Sequence, residues 1–557
     1  MRLKDYFILP LVLLSPLWTL QPNERISEDV GVYIEGAPLA ESLPTLKAVV
    51  TTVAGEGAWD LMASSFETRS GINIFDLKKL HEIGVDTKSP WGIAFNKETE
   101  IGEKAYKPEF VGILPTLSGS SVYNLLKEKI TEVNLDNLKE IENGKILSWG
   151  TEADPGFLIQ TDDAILLSNN LEFAKKTQKR ASSPIAKTHF YKDMRAYFIK
   201  KNANKQPLAA FYLNPKLLVS LFDAQKEFIA QLQKGINEGS TDEAIVSEDS
   251  PLIKEISDNL EASGGAFIVQ NNRLTSYFSY KYKSGYLNDT TKFYPRILQV
   301  KAQPLTSDTL STTPIHYGLL KLNVVAIFDL LKTLSPLFNN KYTESIDKIN
   351  DKLHVDIQKQ VIDSFRGNFN FQIMSIPAPD KLQDITQWGL SGSFGIKSGT
   401  SAGWLDFFKA VDKEAKKFAV KRKNKAKIKF TYENHDEGSF VLITLPPDVT
   451  NSKKTTTIAI LIREDEIIIS NSKTGVLKVL KGSETTLSER LLRLPYDTTQ
   501  AVFFVDLQQV LKALQKAKEA AAFKPYLAML EKLKYFSITS NIEGDFAGAE
   551  FSLHLRK

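Results

Sequence analysis

Gly399-Thr400-Ser401-Ala402-Gly403 fits G-x-S-x-G, the pattern that displays a serine as the nucleophile of acyl transfer on a tight turn between a strand and a helix. Such a serine needs a histidine to take its proton and an acid to orient that histidine, both arriving later in the chain on loops. His435 falls in a polar turn and His554 inside an alternating strand, so neither is well placed as a base. The preceding segment, Leu390 to Ile396, alternates like an antiparallel strand, whereas the nucleophile elbow ends a buried parallel one. Gly119-Ser120-Ser121 takes the matching place earlier in the chain, which points to a shared helix-capping loop. Ser470-Asn471-Ser472-Lys473 fits S-x-x-K, and Lys473-Thr474-Gly475 fits K-T-G, but the two share Lys473 and cannot form two separate walls of one site.

Metal and cofactor chemistry finds little to work with. The chain holds no cysteine, and its six histidines, His81, His189, His316, His354, His435 and His554, stand singly, with no pair spaced to share a helix face. Phosphate-binding glycine loops, dinucleotide fingerprints and tellingly spaced carboxylate pairs are not found, so no catalytic residue, metal or cofactor is expected. The strongest charge feature is Lys416 to Lys429, where eight of fourteen residues are basic. It ends a helical pattern whose Trp404, Phe407, Phe408, Val411, Ala415 and Phe418 share one apolar face. One reading is a core helix whose solvated basic end suits the helix dipole. The sharper one has Lys421, Arg422, Lys423 and Lys425 meet an anionic lipid surface or an acidic envelope protein, each worth about 1 kcal/mol at a charged membrane. A net charge of only +4 and an export-type start make nucleic acid an unexpected partner.

These residues must be positioned by a large folded chain. Its 557 residues are 42% hydrophobic and 24% charged, which excludes a disordered chain, and its 30 Gly and 23 Pro exclude a collagen-like one. Met1-Arg2-Leu3-Lys4-Asp5 precedes an apolar run from Tyr6 to Leu20 broken by Pro10 and Pro16. A short basic start before an apolar stretch of this length is the layout of an export signal, and it is shorter than the roughly 20 residues of a spanning helix. Residues 6–20 are therefore expected either to be removed on export or to remain as an inner-membrane tether, with a buried amino-terminal helix as the plainer option.

The chain also resembles itself. Gly156 to Lys179 aligns without gaps on Ile458 to Lys481, with Asp163, Ile165, Ser168, Asn169, Lys176 and Lys179 repeated as Asp465, Ile467, Ser470, Asn471, Lys478 and Lys481. Each copy reads as strand, acidic turn, strand, then Ser-Asn opening a helix, with the Asp expected to bond its own backbone and Ser or Asn to cap the helix. Ala210 to Asn214 then parallels Val502 to Asp506, and an alternating strand pair follows in each case. With no regular strand-helix-strand period of continuous apolar strands, the expectation is an α+β fold of two homologous halves, each mainly antiparallel sheet with helices packed on one face. The divisions are residues 1–28 as signal or tether, 29–285 as the first half, 286–313 as a linker and 314–557 as the second half. A surface excursion is expected from Asn237 to Ser250, where acidic and small residues dominate.

From Gly71 the chain reads GINIFDLKKLHEIGVDTKSPWGIAF, with Leu80, Gly84, Asp86, Pro90 and Gly92 at set offsets, and Ile165-Leu166-Leu167-Ser168-Asn169 follows later. In these elements it resembles a family of large exported bacterial envelope proteins known only as a domain of unknown function. The resemblance implies an envelope location, often through a lipid anchor, and no assigned reaction; this chain lacks the anchoring cysteine. The segment also reads structurally, with Gly84 as a helix stop, Asp86 in a turn and Pro90 before a strand. The sequence thus points to a non-enzymatic exported envelope protein, periplasmic or tethered, with a scaffold or binding role. The alternatives are a serine hydrolase using Ser401 and a carrier of a lipid or other apolar ligand between the two halves.

Overall fold

The computed structural model describes residues 20–70, 73–96, 109–117, 119–132, 137–215, 217, 251–270, 272–298, 315–334, 341–375, 388–421, 428–447, 455–480, 499–515 and 524–556. Residues 1–19 of the export-type start, the excursion at 237–250 and residues 299–313 lie outside them. The chain divides into two compact units, one of residues 1–221 and 261–281, the other of residues 222–260 and 282–557. Both mix helices with antiparallel sheet.

The strands of the first unit are β1 (Val32–Gly36), β2 (Trp91–Phe95), β3 (Phe110–Pro115), β4 (Lys139–Ile141), β5 (Ile146–Thr151), β6 (Asp154–Gln160), β7 (Ala164–Ser168), β8 (Ala209–Leu213), β9 (Leu260–Gln270) and β10 (Arg273–Tyr282). They line up in the order β4-β5-β6-β7-β3-β2-β1-β8-β9-β10. The second unit contains β11 (His316–Lys321), β12 (Phe365–Ser375), β13 (Gly389–Ile396), β14 (Lys429–His435), β15 (Gly438–Leu445), β16 (Thr456–Ile462), β17 (Glu466–Ser470), β18 (Thr499–Asp506), β19 (Leu533–Glu543) and β20 (Phe546–Leu555). Their order is β14-β15-β16-β17-β13-β12-β11-β18-β19-β20, the same path through the sheet. The register agrees as well. Val32 faces Phe95 and Leu213, and His316 faces Ile373 and Val505; Gly112 faces Leu167, and Gly392 faces Ile469.

The local reasons are visible in the sequence. Gly84 takes φ +92° just past Ile83, which caps the helix Leu77–Glu82, the left-handed position that ends helices at glycine. The Asp86 carboxylate accepts from the backbone of Lys88 and the hydroxyl of Ser89, closing the turn before Pro90, and β2 begins at Trp91.

Two expectations need correction. Helices cover both faces of the sheet at the β15–β17 end, not one. Val441, Ile460 and Ile467 pack under Trp404 of the helix Ser401–Lys421, while Phe440, Leu461 and Ile468 pack under Val476 of the helix Lys473–Leu480. That double burial explains the unbroken run Ile458-Ala459-Ile460-Leu461-Ile462, since a strand wet on one face would alternate. The Asp163 carboxylate, moreover, does not bond its own backbone. It receives the guanidinium of Arg25 and the backbone N–H of Leu20, at 3.0 Å, so it fastens the amino-terminal segment. What the two turns share is the Asp backbone: the carbonyls of Asp163 and Asp465 accept from the N–H of Thr116 at 2.9 Å and of Ile396 at 2.8 Å.

Candidate functional site

Ser401 opens the helix Ser401–Lys421 after Gly399 at φ +81°. The strand before it, β13, runs antiparallel to both neighbours, so the turn lacks the buried parallel strand of a nucleophile elbow. The later histidines are engaged elsewhere: His435 Nδ1 accepts from the backbone N–H of Glu437 at 3.2 Å, and His554 stacks on Tyr535 with ring centroids 3.9 Å apart.

The Ser470 motif is a clamp. Ser470 Oγ donates to the carbonyl of Leu390 at 2.7 Å, Asn471 Oδ1 accepts from the same residue's N–H at 3.3 Å, and Ser472 Oγ accepts from Gly475 N–H at 3.0 Å. In the first unit Ser168 donates to the carbonyl of Phe110, Asn169 Oδ1 accepts from Phe110 N–H at 2.8 Å, and Asn170 Oδ1 accepts from Phe173 N–H at 2.9 Å. One tripeptide therefore ties the end of a strand to its neighbour and caps the following helix. Lys473 pairs with Glu433, so the side chains that imitate a penicillin-recognising site are committed to holding the fold.

The basic run is described only in part. Lys416 pairs with Asp412 at 2.8 Å and Lys417 with Glu414 within the helix. The helix ends at Lys421, whose backbone alone is described, and Arg422, Lys423 and Lys425 lie outside the described residues.

A polar cleft of about 340 Å³ in the first unit is lined by Arg25, Asn96, Glu109, Asn170, Lys176 and Arg180 among others. Most of its polar groups are already spent. Arg25, 2% exposed, donates to Asp163 and to the carbonyls of Gln178 and Leu20; Glu109 accepts from the amides of Asn96 and Asn170; Arg180 pairs with Glu24. The cleft is the seam along which the segment from Leu20 docks.

A surface that pattern reading missed lies on the second unit's sheet. In an antiparallel sheet directly paired residues point to the same face. One row across β12-β11-β18-β19-β20 is Phe371-Gly318-Phe503-Ile538-Phe551, flanked by Ile373-His316-Val505-Phe536-Leu553 and by Phe369-Leu320-Ala501-Ser540-Ala549. Phe371, Phe503, Phe551 and Leu320 remain 40 to 45% exposed. The opposite face carries Gln372-Tyr317-Phe504-Ser537-Ser552 and Asn370-Leu319-Val502-Thr539-Glu550. There Gln372, Ser552 and Thr539 are buried, and Tyr317 donates to Asn370 Oδ1 at 3.1 Å. The inner face thus buries Tyr317, Leu319, Val502 and Phe504 together with several polar groups, while the outer face leaves large apolar side chains toward solvent.

Sequence alternation reveals two faces but not which one the helices take. His316 sits at the edge of the open face, its ring 4.2 Å from that of Phe503 by centroid. Burial lowers its pKa, against the opposing pull of its Nδ1 contact, 2.8 Å from the Phe504 carbonyl. The first unit pairs Phe95-Val32-Leu213, Ile93-Ile34-Phe211 and Trp91-Gly36-Ala209 in the same positions. Its rings lie flat: Trp91 crosses Gly36 and Phe211 crosses Gly265, where any Cβ would strike the ring.

Among the described residues, no helix is long and apolar enough to cross a membrane, and no three histidine or carboxylate side chains are placed to hold a metal ion. No family model and no curated protein matches the chain. Solved structures of TP0453 are distantly similar. Crystal form IV aligns at 10% identity over 47% of this chain and 80% of that one with a TM-score of 0.24, and crystal form III at 8% identity over the same shares with the same TM-score. A superposition this loose bears on neither the site nor the function.

Proposed function

We propose that this chain is a non-enzymatic protein of the cell envelope, exported by its amino-terminal segment and formed by tandem duplication of one ten-strand unit, with a scaffold or binding role. Duplication is supported by the shared strand order, the shared register and the paired Ser-Asn clamps, which local sequence similarity alone does not require. The binding role is carried by one observation, the exposed aromatic row on the outer face of the second unit's sheet. An antiparallel sheet that leaves Phe371, Phe503 and Phe551 toward water loses hydrophobic stabilisation at about 25 cal/mol per Å² of apolar surface left wet, and regains it when something covers that face. Titration with an apolar-surface dye such as anilinonaphthalene sulfonate tests the reading: wild type enhances the dye's fluorescence, and Phe503→Glu reduces the enhancement by at least half. Equal enhancement in both proteins would remove the basis for a binding face.

The non-enzymatic part has its own check. A fluorophosphonate probe is expected to label wild type and Ser401→Ala equally, and labelling lost in the variant would replace the proposal by a hydrolase. Cell fractionation tests location: the chain is expected in the envelope fraction, and removal of residues 1–19 is expected to leave it in the cytosol.

A further inference from the structure

We infer that the first unit presents a basic collar to the anionic phospholipid headgroups of the membrane, an inference that rests on the reading of residues 6–20 as an export segment that remains as a tether. From Lys175 to Lys205 the chain holds ten Lys and Arg against one acid, Asp193. That stretch is net +9 in a protein whose total is +4, so the rest of the chain is net −5. It runs from the end of the helix Leu171–Thr177 through the helix His189–Lys201. Lys175 pairs with Glu142 at 2.9 Å, Arg180 with Glu24, and Arg195 with Glu35 at 3.5 Å. Lys176, Lys179, Lys187, Lys192, Lys200 and Lys205 are exposed, and no acid pairs with them among the described residues. Cations at the ends of the two helices suit the helix dipole. Lys192 does not, since it stands in the first turn of its helix, where a positive charge is disfavoured, and Lys187 comes just before that turn. Folding alone therefore gives no reason for these two, and an anion facing them does.

Position in the fold points to which anion. Leu20 is the last residue of the apolar run, and its backbone N–H is already fixed to Asp163 at 3.0 Å, so no linker separates the tether from the folded unit. The residues that follow are held by the basic stretch itself. Asn23 donates to the Tyr191 hydroxyl at 2.6 Å, Arg25 to the Gln178 carbonyl at 2.9 Å, and the carbonyls of Glu24 and Ile26 accept from the N–H of Ala181 at 3.0 Å and of Ile185 at 2.8 Å. Lys179, Arg180, Lys187 and Lys192 each lie within two residues of one of these contacts, so the tether leaves the protein among cations. Residues 20–31 add Glu24, Glu28 and Asp29 against Arg25, which leaves the combined surface at +7. Lys and Arg clustered beside a membrane segment attract anionic lipids over a Debye length, about 10 Å at 0.1 M salt, and a tether without slack keeps the collar within that reach.

Vesicle flotation of the full chain tests this, with vesicles of phosphatidylcholine alone and of phosphatidylcholine mixed with phosphatidylglycerol. Wild type is expected to bind both through its tether and to bind the anionic vesicles at least about tenfold more tightly, a preference that disappears at about 1 M salt, where the Debye length is about 3 Å. Combining Lys176→Gln, Lys179→Gln, Lys187→Gln and Lys192→Gln should cut the preference at least about fivefold. Arg at the same four positions should keep it, which separates lost charge from lost folding. Gln at Lys47, Lys88, Lys397 and Lys532, exposed lysines elsewhere, should leave it unchanged. A preference that survives the first Gln variant, falls equally in the second, or is lost with Arg would overturn the inference, and so would one abolished by millimolar inorganic phosphate, which would mark a site for the free ion. Equal binding to both kinds of vesicle would leave the tether standing and dismiss only the collar. Binding to neither would dismiss both.

Discussion

Arg25 and Asp163 show how much a single buried charge can fix. Arg25 is 2% exposed, and its guanidinium is shared between one carboxylate and two carbonyls 5 and 153 residues away in sequence. Removing one partner of such a pair strands the other charge out of water, which costs more than the intact pair contributes. Asp163→Ala is therefore expected to lower stability by about 3 kcal/mol in urea denaturation. Asp465→Ala should change it by less than about 1 kcal/mol, because the repeated feature at that turn is the backbone carbonyl. Equal costs would show that the carboxylate does the same work in both turns. His316 gives a prediction of opposite character. Its pKa is lowered by burial beside Phe371 and Phe503, so on acidification the unfolded chain takes up the proton first. Stability from this group is complete above its ordinary value of 6.5 and is lost as pH falls through that value toward the lower folded one. His316→Phe should flatten this part of the stability profile between pH 7 and pH 5, and an unchanged slope would mean that other groups set it.

Among the elements, the Ser-Asn segments hold the most information for their length. Ser168 and Ser470 are each 2% exposed, and each satisfies a carbonyl at the start of a strand that is 58 or 80 residues earlier in the chain. Replacing either serine by alanine leaves that carbonyl without its hydroxyl donor in a buried place, at a cost of about 1–2 kcal/mol. The costs should agree within about 0.5 kcal/mol in thermal or urea unfolding, since the two clamps have the same geometry. The helix-capping half of this arrangement is legible in the sequence because it is local, with Asn170 bonding a backbone three residues on. The strand-clamping half is not, because nothing in a local pattern names a distant partner. The same division runs through the fold. β6, β7 and the helix after them follow from apolar runs, an acidic turn and a capping residue. The double burial of β16 was hidden because continuous apolar strands are ambiguous in isolation, and alternation along β11, β12 and β18 is silent about which face lies under helices. The open aromatic face was missed for that reason, although every residue in it alternates correctly.

Across the whole molecule, the two units share a path through the sheet while their surfaces differ. The positions of Phe371 and Phe503 in the second unit correspond by register to Ile93 and Phe211 in the first, where Phe211 lies flat over Gly265. The scaffold interactions recur, while the outer faces, apolar in both units, differ in how their rings lie. Such a pattern follows if copies of one unit kept the contacts that fold them and diverged where folding made no demand. It also has a dynamic consequence. Amide exchange in a sheet is governed by local opening, which is easiest at an edge strand and hardest where a strand is paired on both sides and its core-facing side chains are buried. β7 lies between β6 and β3, and β17 lies between β16 and β13, with Leu166 and Ile468 fully buried. β4 is exposed along its length and paired to β5, and β14 is paired to β15 at the same place in its own unit. Hydrogen-exchange mass spectrometry should therefore find the same order of protection twice, with peptides over β7 and β17 slowest in their units and peptides over β4 and β14 fastest. If one unit kept this order and the other reversed it, shared strand order would not amount to shared energetics, and descent from one ancestral unit would lose its physical support.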